Sequence, residues 1–196
     1  MWVESTSRFL WGVCILLVTG LFARQSSAKS CEGIRFEERI EVDGAPLLLN
    51  GIGIREATIF KVNVFVAGLY LVRRSSDGDA IAAADENKRM IMIFTRSVEG
   101  GEMSKAIQES FGRATRGDLS RLQKRIDTFK RALPDFRAGD KLVITYRPNT
   151  GTELESKAGK VTIPGLDFAR ALFLIWLGDK PPNPELKRGL LGGKCD

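Results

Sequence analysis

Apolar and polar residues alternate first over residues 36–42, where Ile40 and Val42 fall on one side and Glu37, Arg39 and Glu41 on the other. That period of two predicts a half-exposed strand. Asp43-Gly44 is a hairpin turn signal, and the return strand opens at Pro46. A denser run follows over residues 59–71, rich in β-branched and aromatic side chains: Ile59, Phe60, Val62, Val64, Phe65 and Val66. Its composition suits a buried strand. Only Lys61 and Asn63 are strongly polar there, and their spacing puts both on one face. Gly51 and Gly53 read as a turn feeding this strand, and Gly68 as a bulge or a point of close approach. Residues 80–87 predict a short helix and 89–95 a strand ended by Gly100-Gly101. Over 102–115 the period changes: Met103, Ile107 and Phe111 recur every four residues, the spacing of one helix face.

Asp118 is a suitable N-cap for a further helix whose stripe is Leu119, Leu122, Ile126, Phe129 and Leu133, stopped by Pro134. Its basic residues, Arg121, Lys124, Arg125 and Arg131, read as a solvated face. Strands are predicted over 140–147, 152–156 and 160–163, then a strongly apolar helix over 166–177 and a short one over 184–191. Strands in runs followed by helices predict an α+β fold with an antiparallel sheet.

The first 28 residues stand apart. Arg8 precedes an uncharged, mostly apolar run over 9–23, short of the roughly 20 residues that span a bilayer. Ser26-Ser27-Ala28 then supplies small residues of the kind a signal peptidase reads. Residues 1–28 are expected to be a cleaved signal peptide and 29–196 the mature domain, periplasmic or secreted; an uncleaved anchor is the alternative. No stable membrane insertion is expected after processing. The net charge is +6, and removing Arg8, Arg24 and Glu4 leaves +5. Basic charge raises a nucleic-acid reading, but the aromatics are not interleaved with the basic residues and an exported chain has little access to nucleic acid. Cys31 and Cys195 remain after processing, one near each end. In an oxidising compartment they are candidates for a disulfide; two unpaired thiols on frayed ends are the alternative.

The chain contains no histidine. That excludes a histidine-based catalytic triad, histidine-ligated zinc and histidine-held haem. Gly51-x-Gly53 lacks the third glycine and following helix of a dinucleotide fingerprint, and Asp77, Asp79 and Asp85 do not match the calcium-loop spacing. No metal or cofactor is expected. The acid/base inventory reduces to carboxylates, lysines, Tyr70 and Tyr146.

The order Leu49, Gly51, Gly53, Arg55, then Lys61, then Gly68-Leu69-Tyr70-Leu71, resembles the entry strands of the chalcone isomerase-like family. The segment from Phe173 through Trp176, Gly178 and Pro181-Pro182 to Leu191-Gly192 resembles the closing helices of its bacterial, exported branch. The resemblance implies a large antiparallel sheet with helices packed over one face, an open-faced β-sandwich with a cleft between the layers. It also implies functional positions. The family's arginine that contacts the reacting oxygens corresponds to Arg55. Its carbonyl-polarising threonine falls on Phe65, its helix-start tyrosine on Met103, its lysine near Ala106 and its asparagine near Ser110. Phe65 and Met103 cannot donate the hydrogen bonds that stabilise an oxyanion.

The expectation is therefore a non-catalytic binding protein. Arg55 would face a cleft walled by Phe65, Met103 and Phe111 and hold a small apolar ligand, fatty-acid-like or carbonyl-bearing. The alternatives are an isomerase, an intramolecular lyase acting on a chalcone-like enone, and a structural protein with a filled cleft. The plainest reading of Arg55 leaves it in solvent at the edge of a strand.

Overall fold

The computed structural model describes residues 27–57, 62–115 and 119–195. Residues 1–26, which hold nearly all of the expected signal peptide, lie outside it, as do Lys61 and the expected cap Asp118.

Two short strands, β1 (Ala28–Cys31) and β2 (Ile34–Glu37), form a separate antiparallel hairpin. Among the described residues the main sheet has seven antiparallel strands in sequential order: β3 (Arg39–Val42), β4 (Ala45–Ala57), β5 (Val62–Leu71), β6 (Lys88–Phe94), β7 (Lys141–Arg147), β8 (Gly151–Ser156) and β9 (Gly159–Ile163). Five helices are interspersed among the described residues: α1 (Gly78–Ala83), α2 (Gly100–Ala114), α3 (Gln123–Arg131), α4 (Leu166–Leu177) and α5 (Pro184–Leu190). This is the α+β arrangement the sequence predicts.

The core has two parts, one on each face of the sheet. On one face Phe65, Ala67, Leu69 and Leu71 of β5 and Met90, Met92 and Phe94 of β6 pack against residues of all five helices. On the other, Val66 and Tyr70 of β5 join Ile52 and Ile54 of β4 beneath the β1–β2 hairpin, with Phe36 and Cys31. β5 is therefore buried on both faces, which is why its sequence is a continuous apolar run rather than an alternation.

Two expectations are corrected here. Residues 49–71 are not a turn feeding one strand but a pair of strands, β4 and β5, whose ladder runs from Leu48↔Leu71 to Ala57↔Val62. Gly51 and Gly53 lie inside β4. And Gly100-Gly101 does not end a strand; it opens α2, where a Cβ on Gly100 would be 2.9 Å from the Leu133 carbonyl oxygen. Gly68 meets the expectation of a close approach, but from a side chain: a Cβ there would be 2.6 Å from the Phe36 ring.

Cys31 in β1 is bonded to Cys195 beyond α5, with Cα atoms 6.0 Å apart. The bond ties the outer hairpin to the C-terminal segment. Among the described residues, no helix is long and apolar enough to cross a membrane.

Candidate functional site

Within β4, side chains alternate between the two faces of the sheet. Ile52 and Ile54 point to the hairpin side. Gly51, Gly53 and Arg55 therefore point to the helix side. The two glycines give α5 room to lie on the strand: a Cβ on Gly51 would be 2.8 Å from the Leu190 carbonyl oxygen, and one on Gly53 3.0 Å from Leu186 Cδ1. Arg55, the next position on that face, reaches past the helix. Its ladder partner is Phe65 of β5, so the two side chains leave the sheet side by side.

Both line a cavity of about 420 Å3, within the roughly 300–1,000 Å3 range of small-molecule sites. Its second wall is α2, through Met103, Ala106, Ile107, Ser110 and Arg113, which recur at helical spacing. Its third comes from Ile175 and Trp176 at the end of α4 and from Pro181 and Pro182 in the link to α5. That link is held at both ends. The Asn183 side chain accepts from the Leu186 amide at 2.9 Å, and Lys187 Nζ donates to the Gly178 carbonyl at 3.0 Å. These are the contacts expected of an N-cap and of a cation at a helix C-terminus.

The structure thus brings Arg55, Phe65 and Met103 into one cleft, together with Ala106 and Ser110. Phe111 is a correction: it is fully buried, lies outside the lining and packs against Phe168 with ring centroids 5.6 Å apart. The four-residue spacing that grouped it with Met103 and Ile107 carries it round the helix into the core. Arg113 and Trp176 were not singled out from the sequence. The register 103–106–110–113 was a legible signal for the first. The second lay in a run of apolar helix where every position looks like core.

Arg55 is half-buried, and among the described residues it makes no hydrogen bond or ion pair. Burial first, and then the positive charge of Arg113, push its guanidinium below the usual arginine range; it stays protonated at any physiological pH. The Arg113 guanidinium donates to Ser110 Oγ at 2.7 Å, and Ser110 is itself buried. Glu109 stands on the same rim, exposed. The cleft therefore sets two cations beside the apolar side chains of Phe65, Met103, Ile107, Ile175 and Trp176, chemistry suited to an anion with an apolar body.

Neither tyrosine reaches this cleft. Tyr70 lies on the hairpin side and its hydroxyl donates to the Glu37 carbonyl at 3.0 Å; burial raises it to about 12. The Tyr146 hydroxyl donates to Asp85, and burial together with that carboxylate raises it to about 12 as well. Among the described residues no cluster of three or more potential metal ligands occurs.

A family model described as chalcone isomerase-like matches residues 28–192. No curated protein matches the sequence. Among solved structures, a fatty-acid binding protein from Arabidopsis thaliana is similar with a TM-score of 0.66, covering 85% of this chain and 96% of its own, at 15% sequence identity. At that identity the likeness is one of fold. With a single family model spanning the sheet, the cleft and the closing helices, the chain belongs to the chalcone isomerase-like family.

Proposed function

We propose that this protein is a non-catalytic carrier, which holds a small apolar molecule with an anionic or carbonyl end in the cleft at Arg55. The observation that carries the reading is the state of Arg55 itself: a half-buried guanidinium beside Phe65, Met103 and Trp176, with no carboxylate paired to it among the described residues. An unpaired cation in a partly dry site is unfavourable, and an entering carboxylate would remove that penalty through two parallel hydrogen bonds. Burial of the tail against the apolar walls adds about 25 cal/mol per Å2. The similar fold of a plant fatty-acid binding protein supports a ligand of this class.

An isomerase reading has less support. Enolate stabilisation needs preorganised donors, and losing one lowers the rate by roughly 10²–10³. The walls at Phe65 and Met103 supply none, and Tyr70 and Tyr146 are engaged elsewhere.

The carrier is proposed to act outside the cytoplasm, with residues 1–28 removed on export. A Cys31–Cys195 bond suits an oxidising compartment. N-terminal sequencing of exported protein should begin at or near Lys29; intact Met1 would contradict the processing.

The direct test is a non-denaturing mass spectrum of protein purified from the compartment to which it is exported. The expected result is a retained small molecule released on denaturation. An empty protein that also binds no added long-chain carboxylate would identify a structural role instead.

A further inference from the structure

Arg113 is the feature of the cleft that a simple fatty-acid carrier leaves unexplained. A carboxylate has two oxygens and one charge, and a single guanidinium meets both oxygens in a fork-to-fork pair. Arg55 suffices for that. Yet α2 brings a second guanidinium to the same cavity; Arg113 is exposed, but its guanidinium donates to Ser110 Oγ at 2.7 Å, on a residue only 6% exposed, which directs it along the cavity wall. The nearest carboxylate of the lining, Glu109, pairs with neither arginine, and no other ion pair to either exists among the described residues. Two like charges thus face one cavity with no counter-ion paired to them among the described residues.

We propose that the head group for which this cleft is built is a doubly charged phosphate monoester on an alkyl chain, bridged between Arg55 on β4 and Arg113 on α2. The proposal rests on the reading of the cleft as a ligand site. A phosphate monoester carries about −1.5 to −2 charge at neutral pH and three terminal acceptor oxygens. It can give two oxygens to one guanidinium and still present a third, with residual charge, to the other. Arginine is the side chain whose planar set of donors matches such tetrahedral oxyanions. Both arginines project from regular elements, a strand and a helix, rather than from loops, so the separation of their Cα atoms is set by where α2 lies over the sheet. The alkyl chain would lie along Phe65, Met103 and Trp176.

The test is calorimetric titration of the purified protein with dodecyl phosphate and with dodecanoate, each below its micellar concentration. The parent, Arg113→Gln and Arg55→Ala are compared. The parent should bind dodecyl phosphate at least about tenfold more tightly than dodecanoate. Arg113→Gln should abolish that preference by weakening dodecyl phosphate at least about tenfold and dodecanoate by a smaller factor, and Arg55→Ala should weaken both ligands. Arg113 is exposed, so an unchanged melting temperature is expected and checks that the variant folds. If dodecanoate binds as well as the phosphate, or if Arg113→Gln weakens both ligands equally, the bridged phosphate is wrong while the ligand site stands. If the parent binds neither, the ligand-site reading itself fails and this proposal with it.

Discussion

Gly53 of β4 and Gly189 of α5 lie backbone against backbone: a Cβ on Gly189 would come within 2.7 Å of the Gly53 Cα. Helix and strand meet here with no side chain between them. The same contact repeats one position away on the strand face, where Gly51 lies under Leu190 and Gly192. The glycines of the motif therefore set how closely α5 approaches the sheet, and so where the chain before it, Pro181 and Pro182, closes the cleft.

Gly53→Ala or Gly189→Ala should accordingly destabilise the fold by at least about 2 kcal/mol, the upper part of the range for overpacking a tight contact. Urea unfolding of each variant against the parent measures this. A change below about 0.5 kcal/mol would mean that α5 can lift without penalty, and that the glycines do not position it.

The Cys31–Cys195 bond closes a loop with a sequence separation of 164. In the chain-entropy model a loop of that size contributes about 5 kcal/mol, and measured values often fall below this. Cys31→Ser together with Cys195→Ser should lower the melting temperature while keeping the fold, because the helix-side core contains no residue of the β1–β2 hairpin. Thiol titration of unreduced, exported protein should detect neither cysteine. Two reactive thiols per chain would remove the bond from the account.

How far the sequence carried this reading depends on what each residue meets. The alternation in β3 and the helical stripe of α2 were legible because each element has one buried face. β5 was legible as a strand, but its start was not. β5 begins at Val62, whereas the apolar run reads as a strand from Ile59, because no glycine or proline marks the boundary. The glycines of β4 misled for a related reason. Glycine signals a turn most often, and nothing local to Gly51 and Gly53 records that a helix more than a hundred residues away will lie on them. Arg55 was legible by resemblance, whereas Arg113 was passed over because a charged residue near a helix end usually faces solvent. Phe111 failed for the opposite reason: a four-residue spacing drifts around a helix of 3.6 residues per turn, and by its second repeat the drift takes the side chain out of the cleft.

Lys88 opens β6 on the helix-facing side and is buried. Its ammonium donates to the Ile81 and Ala84 carbonyls at 2.8 and 2.6 Å, at the C-terminus of α1, and lies over the Tyr146 and Phe173 rings. Burial lowers it from its ordinary 10.5 to about 8, with Asp85 and Glu86 opposing the shift. The folded state therefore releases this proton at lower pH than the unfolded chain. Between about pH 8 and 10.5 the unfolded state binds more protons, so this group makes stability rise with pH across that window. Below pH 8 the charged amine is present in both states and its burial penalty is complete. The two tyrosines work in the opposite sense above about pH 10, so the slope is cleanest below that. Urea unfolding from about pH 8 to 10 should show the parent gaining stability relative to Lys88→Met, by a few kcal/mol at most. Parallel pH profiles would show that the amine stays charged throughout, held by its two carbonyls.

The central claim is that Arg55 is the ligand's anchor, and calorimetric titration with dodecanoate of the parent, Arg55→Ala and Arg55→Lys tests it most directly. Arg55→Ala should weaken binding at least about tenfold, or ~1.4 kcal/mol, with an unchanged melting temperature. Arg55→Lys should restore part of the loss, because an ammonium keeps the charge but lacks the planar fork. Equal affinity in the parent and the alanine variant would make Arg55 a bystander at the edge of β4 and would contradict the account.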